Sequence, residues 1–286
     1  MVRTYNGRIM PELPEVEMVA QGLRSALVGS TIVSVTVYWA RSIALPDADE
    51  FARRLEGESI TDVGRRGKWV LLTLGSGSGL LIHLRMTGQL ILQEERPVNE
   101  RHLRVLFALA DGRWLCFFDQ RKFGRMVLTT EPQGVVRELG PEPLEDEFTA
   151  ATFAGMLARR RGSIKPLLLN QRFLAGLGNI YTDEALWRAG IHPLRRADSL
   201  TPDEAVGLHG AVRAVLREAI ASGGTTLADT AYRQPDGQAG AFGGLLAVYG
   251  RAGQPCPRCG AEIERTLVGQ RGTHICPHCQ PRPVGE

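Results

Sequence analysis

Cys256-Pro257-Arg258-Cys259 and Cys276-Pro277-His278-Cys279 form two C-x2-C knuckles separated by sixteen residues. Each knuckle offers two thiolates and tetrahedral Zn(II) takes four, so the spacing predicts one zinc site per chain. With four sulfurs around it the ion has no open position, which makes the site structural rather than catalytic. His274 and His278 could substitute, but the four cysteines suffice. The metal-like spacing argues against a disulfide framework. Cys116, between Leu115 and Phe117, reads as an ordinary buried thiol.

A second chemical feature lies near the beginning, in Met10-Pro11-Glu12-Leu13-Pro14-Glu15-Val16-Glu17. If translation starts at Met10 and the methionine is removed, Pro11 carries a free secondary amine. An α-amine titrates near pH 8 and a lysine near about 10.4, so roughly a tenth of such amines are neutral at pH 7. A terminal Pro11 is then a nucleophile towards a carbonyl-level carbon without any tuning by burial. The same residues also read as an ordinary helix start, where prolines are common. Lysine usage adds a third clue. Only Lys68, Lys122 and Lys165 occur among 34 basic residues. In a chain that otherwise uses arginine, each marks a place where a compact, tunable ammonium could be wanted.

These residues need a scaffold. Val16, Val19, Ala20, Leu23 and Leu27 fall on one face of a helix from Pro14 to Leu27, with Gly29 as its left-handed stop. The period then changes to two, and strands are expected near 33–39, 60–63, 68–74, 80–84, 89–92, 103–109, 113–118 and 126–129. A short helix is expected at Phe51–Leu55. Gly75–Gly79 and Asp111-Gly112 supply hairpin turns, and the whole reads as a β-sandwich or barrel-like domain. Gly140-Pro141-Glu142-Pro143 breaks regular structure. Helices are expected beyond it at 149–161 and 165–173, and then after Gly176-Leu177-Gly178. Here Asn179 would be the cap, with Asp183 and Glu184 in the first turn and Gly190 as the stop. Thr201-Pro202-Asp203-Glu204 is a capping box that opens a long helix to Gly223. Residues 223–250, rich in glycine, read as a loop ordered on binding or as a plain surface linker. A hairpin over 262–275 joins the cysteine knuckles. Arg271 at its tip and the Gly176–Asn179 turn are candidate phosphate contacts.

With 286 residues and 43% hydrophobic content the chain has room for two globular domains. No apolar run is long enough to span a bilayer, and Met1–Met10 lacks the apolar core of a secretory signal, so a cytoplasmic location is expected. Residues 1–149 hold 18 Lys+Arg against 20 Asp+Glu, and residues 150–286 hold 16 against 11. The basic second half suggests a polyanionic partner.

Together the motifs resemble the formamidopyrimidine-DNA glycosylase/endonuclease VIII family, in its formamidopyrimidine-DNA glycosylase branch. The resemblance runs through Pro11–Glu17, Arg66-Gly67-Lys68, His83-Leu84-Arg85-Met86-Thr87-Gly88 and Asp119-Gln120-Arg121-Lys122-Phe123-Gly124. It continues through Gly140–Pro143, Ile164-Lys165-Pro166, Gly176–Tyr181, Gly224–Leu227 and Val248–Arg251 to the zinc hairpin. It implies an α+β multidomain fold. An N-terminal β-sandwich flanked by helices (10–140) is followed by a linker (141–148). Next come a helix-two-turn-helix domain (149–250) with a lesion-covering loop at about 223–245, and a zinc finger (251–286). Residues 1–9 would be absent from the mature protein.

The implied activity is a bifunctional DNA glycosylase and AP lyase acting on oxidised purines in duplex DNA, as a monomer with the chromosome. Pro11 would be the nucleophile, Glu12 the general acid, and Lys68 a group near the lesion and its phosphate. Met86, Arg121 and Phe123 would fill the gap left by the extruded nucleotide, with His83, Lys165, Asn179 and Arg271 as further DNA contacts. Two departures stand out. Gln120 replaces a common proline, and Ala241 lies in the covering loop where relatives often carry an aromatic. The endonuclease VIII branch, acting on oxidised pyrimidines, and a non-catalytic zinc-containing DNA-binding module are the alternatives.

Overall fold

The computed structural model describes residues 10–98, 101–227 and 232–283. The expected extension, residues 1–9, lies outside the described residues, as do 228–231 of the expected covering loop. The chain forms two compact units. One contains the residues up to Glu138 together with Ser222–Gly243, and the other contains Leu139–Ala221 with everything from Gly244 onward. The expected covering-loop segment therefore belongs largely to the first unit, and the zinc hairpin shares its unit with the helices.

The first unit begins with α1 (Leu13–Leu27), whose Val16, Val19, Ala20, Leu23 and Leu27 are all buried. Each buried valine or leucine among them contributes about 1.5–3 kcal/mol on burial. Gly29, at φ +89°, turns the chain into β1 (Ile32–Val37). There follow β2 (Ile43–Leu45), α2 (Ala48–Leu55), β3 (Ile60–Arg66), β4 (Trp69–Leu74) and β5 (Gly79–His83). The unit continues with β6 (Gly88–Gln93), β7 (Leu103–Leu109), β8 (Trp114–Asp119), β9 (Arg125–Thr129) and the short α3 (Pro132–Val136). Neither β2 nor α3 is marked in the sequence. The strand β2 is only three residues long and is created by parallel pairing with β9.

The strands make two sheets, one in the order β2-β9-β5-β4-β3 and one in the order β1-β7-β8-β6. One core unites them, with Leu72, Leu80 and Ile82 from the first sheet, Phe107, Leu115 and Phe117 from the second, and Leu23 and Phe51 from the two flanking helices. This is the expected sandwich flanked by helices.

Strand register gathers the motifs at one end. Arg66 pairs with Trp69, Trp69 with His83, and His83 with Arg125. In the other sheet Gly88 pairs with Asp119. The turns carrying Lys68, Met86 and Arg121–Phe123 therefore all follow or precede these registered positions. The helix α1 points its N-terminus the same way. Arg24 donates to the Val63 carbonyl at 2.5 Å, while Glu17, two turns closer to the N-terminus, pairs with Arg65 at 2.8 Å.

In the second unit are α4 (Ala150–Leu157), α5 (Ile164–Leu169), α6 (Asn179–Ala189) and α7 (Pro202–Ala221), then the hairpin β10 (Glu264–Val268) and β11 (Arg271–Ile275). The first two helices are shorter than expected. The capping box is present as read: Thr201 N–H donates to Glu204 at 2.8 Å and Glu204 N–H to Thr201 Oγ1 at 3.2 Å. Among the described residues no helix is long and apolar enough to cross a membrane.

The β5–β6 turn has no slack. Gly88 N–H donates to the Leu84 carbonyl at 3.0 Å, and a Cβ at Gly88 would collide with that oxygen. Gly88→Ala is expected to destabilise this unit by about 1–3 kcal/mol. Urea unfolding at unchanged m-value would show it, and a wild-type midpoint would mean that the turn can yield.

Candidate active site and nucleic-acid interface

Pro11 is buried, and Glu12, the N-cap of α1, is 2% exposed. Glu15, at the third helical position, turns back so that Glu12 N–H donates to its Oε2 at 2.8 Å. Its other oxygen accepts Thr225 N–H at 2.7 Å. One buried carboxylate thus ties the helix start to the segment expected to cover the lesion. That segment is not a plain linker where it is described. Thr225, Tyr232 and Phe242 are buried, and Tyr232 Oη donates to the Gly223 carbonyl at 3.1 Å. Burial raises the Tyr232 phenol well above its ordinary range, and Glu15 and Asp236 add to the effect. Ala241 is exposed, with its N–H donating to Ser222.

Lys68 is buried in the β3–β4 turn. His83, expected to face DNA, is instead buried as well. Its Nδ1 accepts Arg85 N–H at 3.1 Å and its ring meets Trp69 edge-on. Burial, then the charges of Arg85 and Lys68, push its pKa down to about 3. The neutral imidazole braces the Arg85 turn through its Nδ1.

The turns bearing Met86, Arg121 and Phe123 are braced by Asp119, which is fully buried. The Asp119 carboxylate accepts Thr87 Oγ1–H from one turn, and Arg121 N–H at 3.1 Å and Gly124 N–H at 2.7 Å from the other. Arg121 N–H also reaches Thr87 Oγ1 at 3.0 Å. Above this brace the three expected wedge residues meet. Arg121 Nη1 donates to Met86 Sδ at 2.9 Å, and the guanidinium lies 4.8 Å over the Phe123 ring. Phe123 is 46% exposed, which is unusual for a phenylalanine and suits a side chain kept for insertion. Asp119 carried no assigned role in the sequence, although it opens the quoted motif.

In the second unit, Lys165 also departs from expectation. Its side chain and that of Asp183 are both 0% exposed and meet at 2.6 Å. The same ammonium donates to Thr273 Oγ1 at 2.8 Å and to the Gly272 carbonyl at 3.1 Å. Lys165 is therefore a buried clamp on the hairpin tip. Asn179 is likewise not the helix cap. Gly178 takes that place, Asn179 is the first helical residue, and its Nδ2 donates to the Gly272 carbonyl at 2.9 Å.

Asp183 and Glu184 lie in the second turn of α6 and not the first, because the helix begins at Asn179, and their partners lie in the C-terminal segment. Asp183 Oδ2 accepts His274 N–H at 2.9 Å. Glu184 accepts the consecutive N–H groups of Ala247, Val248 and Tyr249 at 2.8–2.9 Å. Burial raises the Glu184 pKa, against the opposing pull of those three N–H groups. The Lys165, Asn179 and Asp183 bonds converge on Gly272–His274, next to Arg271, which is exposed at the tip.

Cys256, Cys259, Cys276 and Cys279 place their sulfurs within 4.8 Å of one another. The Cys256–Cys279 and Cys259–Cys276 pairs are 3.9 and 3.4 Å apart. A tetrahedron with Zn–S bonds of about 2.3 Å has sulfurs about 3.8 Å apart, so the cluster fits one structural zinc ion. Trp187 Nε1 donates to Cys256 Sγ at 3.4 Å, an outer contact that orients the ligand.

The sandwich, the helical unit and the four-cysteine hairpin together define a zinc-containing DNA-repair fold. Residues 10–126 match the formamidopyrimidine-DNA glycosylase N-terminal domain, residues 139–231 its H2TH domain, and residues 253–282 the zinc finger found in FPG and IleRS. A formamidopyrimidine-DNA glycosylase of Roseiflexus sp. (strain RS-1) is 47% identical over 95% of this chain and 100% of its own length. MutM (FPG) of Thermus thermophilus superposes with a TM-score of 0.85 at 43% identity, covering 96% of this chain and 100% of that one. A Lactococcus lactis FPG (MutM) in complex with DNA containing FAPY-dG gives 0.86 at 36% identity, covering 95% and 100%. The chain belongs to the formamidopyrimidine-DNA glycosylase family.

Two outcomes follow from the buried charges. Lys165→Met would strand the Asp183 carboxylate and is expected to cost about 3–5 kcal/mol. Unfolding of the variant at wild-type denaturant concentration would remove Lys165 as the clamp. His83 titrates near 6.5 when unfolded but near 3 when folded, so between these values only the unfolded chain gains the proton. Its contribution is whole above pH 6.5 and is lost as the pH falls, with a slope approaching about 1.4 kcal/mol per pH unit. Stability profiles of wild type and His83→Asn should diverge below pH 6.5, and parallel profiles would contradict the assignment.

Proposed function

We propose that this chain excises oxidised purines, 8-oxoguanine and formamidopyrimidines, from duplex DNA and then cleaves the abasic strand. The observation that carries the reading is the placement of Pro11 and Glu12, buried at the start of α1, at the same end of the sandwich as the Met86 and Arg121–Phe123 turns. Pro11 nitrogen attacks C1′ of the damaged nucleotide, the bond to the base breaks, and the nitrogen and C1′ form a Schiff base. Successive β- and δ-elimination then release the flanking phosphates. Glu12 supplies the proton that opens the sugar ring. The positive end of the α1 dipole opposes an added charge at Pro11 and so favours the neutral, nucleophilic amine.

Reaching C1′ requires extrusion of the nucleotide from the stack. Met86, Arg121 and Phe123 fill the vacated space, and Lys68 lies near the lesion and its phosphate. Asn179 and Arg271 contact the DNA backbone from the second unit. The zinc ion holds the hairpin that presents Arg271 and takes no part in the chemistry. The enzyme works as a monomer alongside the chromosome.

The mechanism places one demand on the chain. Within a peptide bond, proline nitrogen has its lone pair delocalised and cannot form an imine. The working enzyme therefore starts at Pro11, after initiation at Met10 and removal of the methionine. The N-terminal family match beginning at residue 10 supports this.

Borohydride added during reaction with a duplex carrying 8-oxoguanine opposite cytosine is expected to trap a covalent adduct whose mass begins at Pro11. Trapping only with a thymine-glycol duplex would favour the pyrimidine-specific alternative, and no trapping with either would favour a binding module. An adduct that retains Met1 would sink the Pro11 assignment and turn attention to Lys68.

A further inference from the structure

We propose that Trp39 is a positioning residue for the DNA wedge, holding the Arg121–Phe123 turn in place through the Lys122 ammonium. The inference rests on the glycosylase reading above and concerns how the wedge is kept ready.

Lys122 separates the two wedge residues of its turn and has φ +61°, in the left-handed region that disfavours side chains. Such a residue persists only where its surroundings hold it. Its backbone carbonyl accepts a long bond from Arg125 Nη1, at 3.3 Å. Its side chain makes a cation–π contact, with Nζ 3.9 Å from the centroid of the Trp39 ring. Arg41, the other cation near that ring, is 5.9 Å away. The guanidinium of Arg121 is meanwhile stacked on Phe123. The middle residue of the turn thus grips the sandwich while its two neighbours grip each other.

Trp39 is well fixed for the purpose. It follows β1, and the N–H groups of Tyr38 and Trp39 both donate to the Arg104 carbonyl, at 2.9 and 3.3 Å. Arg104 Nε donates in turn to the Asp119 carbonyl at 2.8 Å, at the root of the same turn. Trp39 Nε1 is buried without a hydrogen-bond partner among the described residues. A buried unpartnered donor is unfavourable, so the indole is retained for its face and not for its N–H.

The test uses single-turnover kinetics on the full enzyme with two substrates. One is 8-oxoguanine opposite cytosine, where a stacked base must be extruded. The other is a preformed abasic site, which has no base to unstack. Trp39→Leu and Lys122→Met are each expected to slow excision by about threefold to tenfold, and the double variant no further. Abasic-strand cleavage should stay within about twofold of wild type. Trp39→Phe and Lys122→Arg keep a ring face and a cation and should restore excision. The proposal fails if the single losses multiply in the double variant. It fails equally if abasic cleavage falls in parallel with excision, or if Trp39→Phe is as slow as Trp39→Leu. Loss of both activities in the wild type would instead count against the glycosylase reading. Thermal unfolding of each variant separates these outcomes from misfolding, and a folded Trp39→Leu enzyme with wild-type excision overturns the proposal.

Discussion

The Asp119 carboxylate, removed from solvent, spends its acceptor capacity on a hydroxyl from one turn and two backbone N–H groups from another. The same device recurs at three other buried carboxylates. Glu15 joins Glu12 N–H to Thr225 N–H, Asp183 holds His274 N–H, and Glu184 holds three consecutive N–H groups before the zinc knuckles. A hydrogen bond to a charged acceptor contributes about 1.5–3 kcal/mol net. A carboxylate buried with fewer partners would protonate or be expelled. Each of these acids is therefore tolerable only while the backbone it grips stays in place, which makes the tips resistant to drift.

What they resist is visible in the backbone. Among the described residues three non-glycines have positive φ: Arg85, Lys122 and Gln270. Each adjoins a residue expected to touch DNA, namely Met86, Arg121 with Phe123, and Arg271. Left-handed geometry costs an L-residue about 1–2 kcal/mol. Three such turns, each beside an expected contact residue, indicate that tight curvature projects a side chain away from its own strand. The buried carboxylates and the Lys165 clamp offset that cost.

The sequence disclosed the sandwich because strands with alternating polarity and glycine turns are local signals. The zinc site was equally legible, since four cysteines at that spacing have few other uses. The misreadings share one cause. Asn179 and Lys165 have the composition of a cap and of a phosphate ligand. Their partners, Gly272 and Thr273, lie some hundred residues further along, and no local pattern announces them. Strand β2 and the burial of His83 are likewise consequences of pairing with distant segments.

The start of α1 shows how one helix-capping carboxylate can also fix a distant segment. A helix leaves its first N–H groups without partners, and a glutamate three positions after the cap is the ordinary remedy. Glu15 serves that local need with one oxygen and, with the other, fixes Thr225 in a segment more than two hundred residues away. Replacing it by any residue that merely favours helix would keep α1 and free the covering segment. The start of α1 is thus fixed by a capping interaction that many helices use. What this fold adds is the second N–H, which couples the position of the helix start to that of the Thr225 segment.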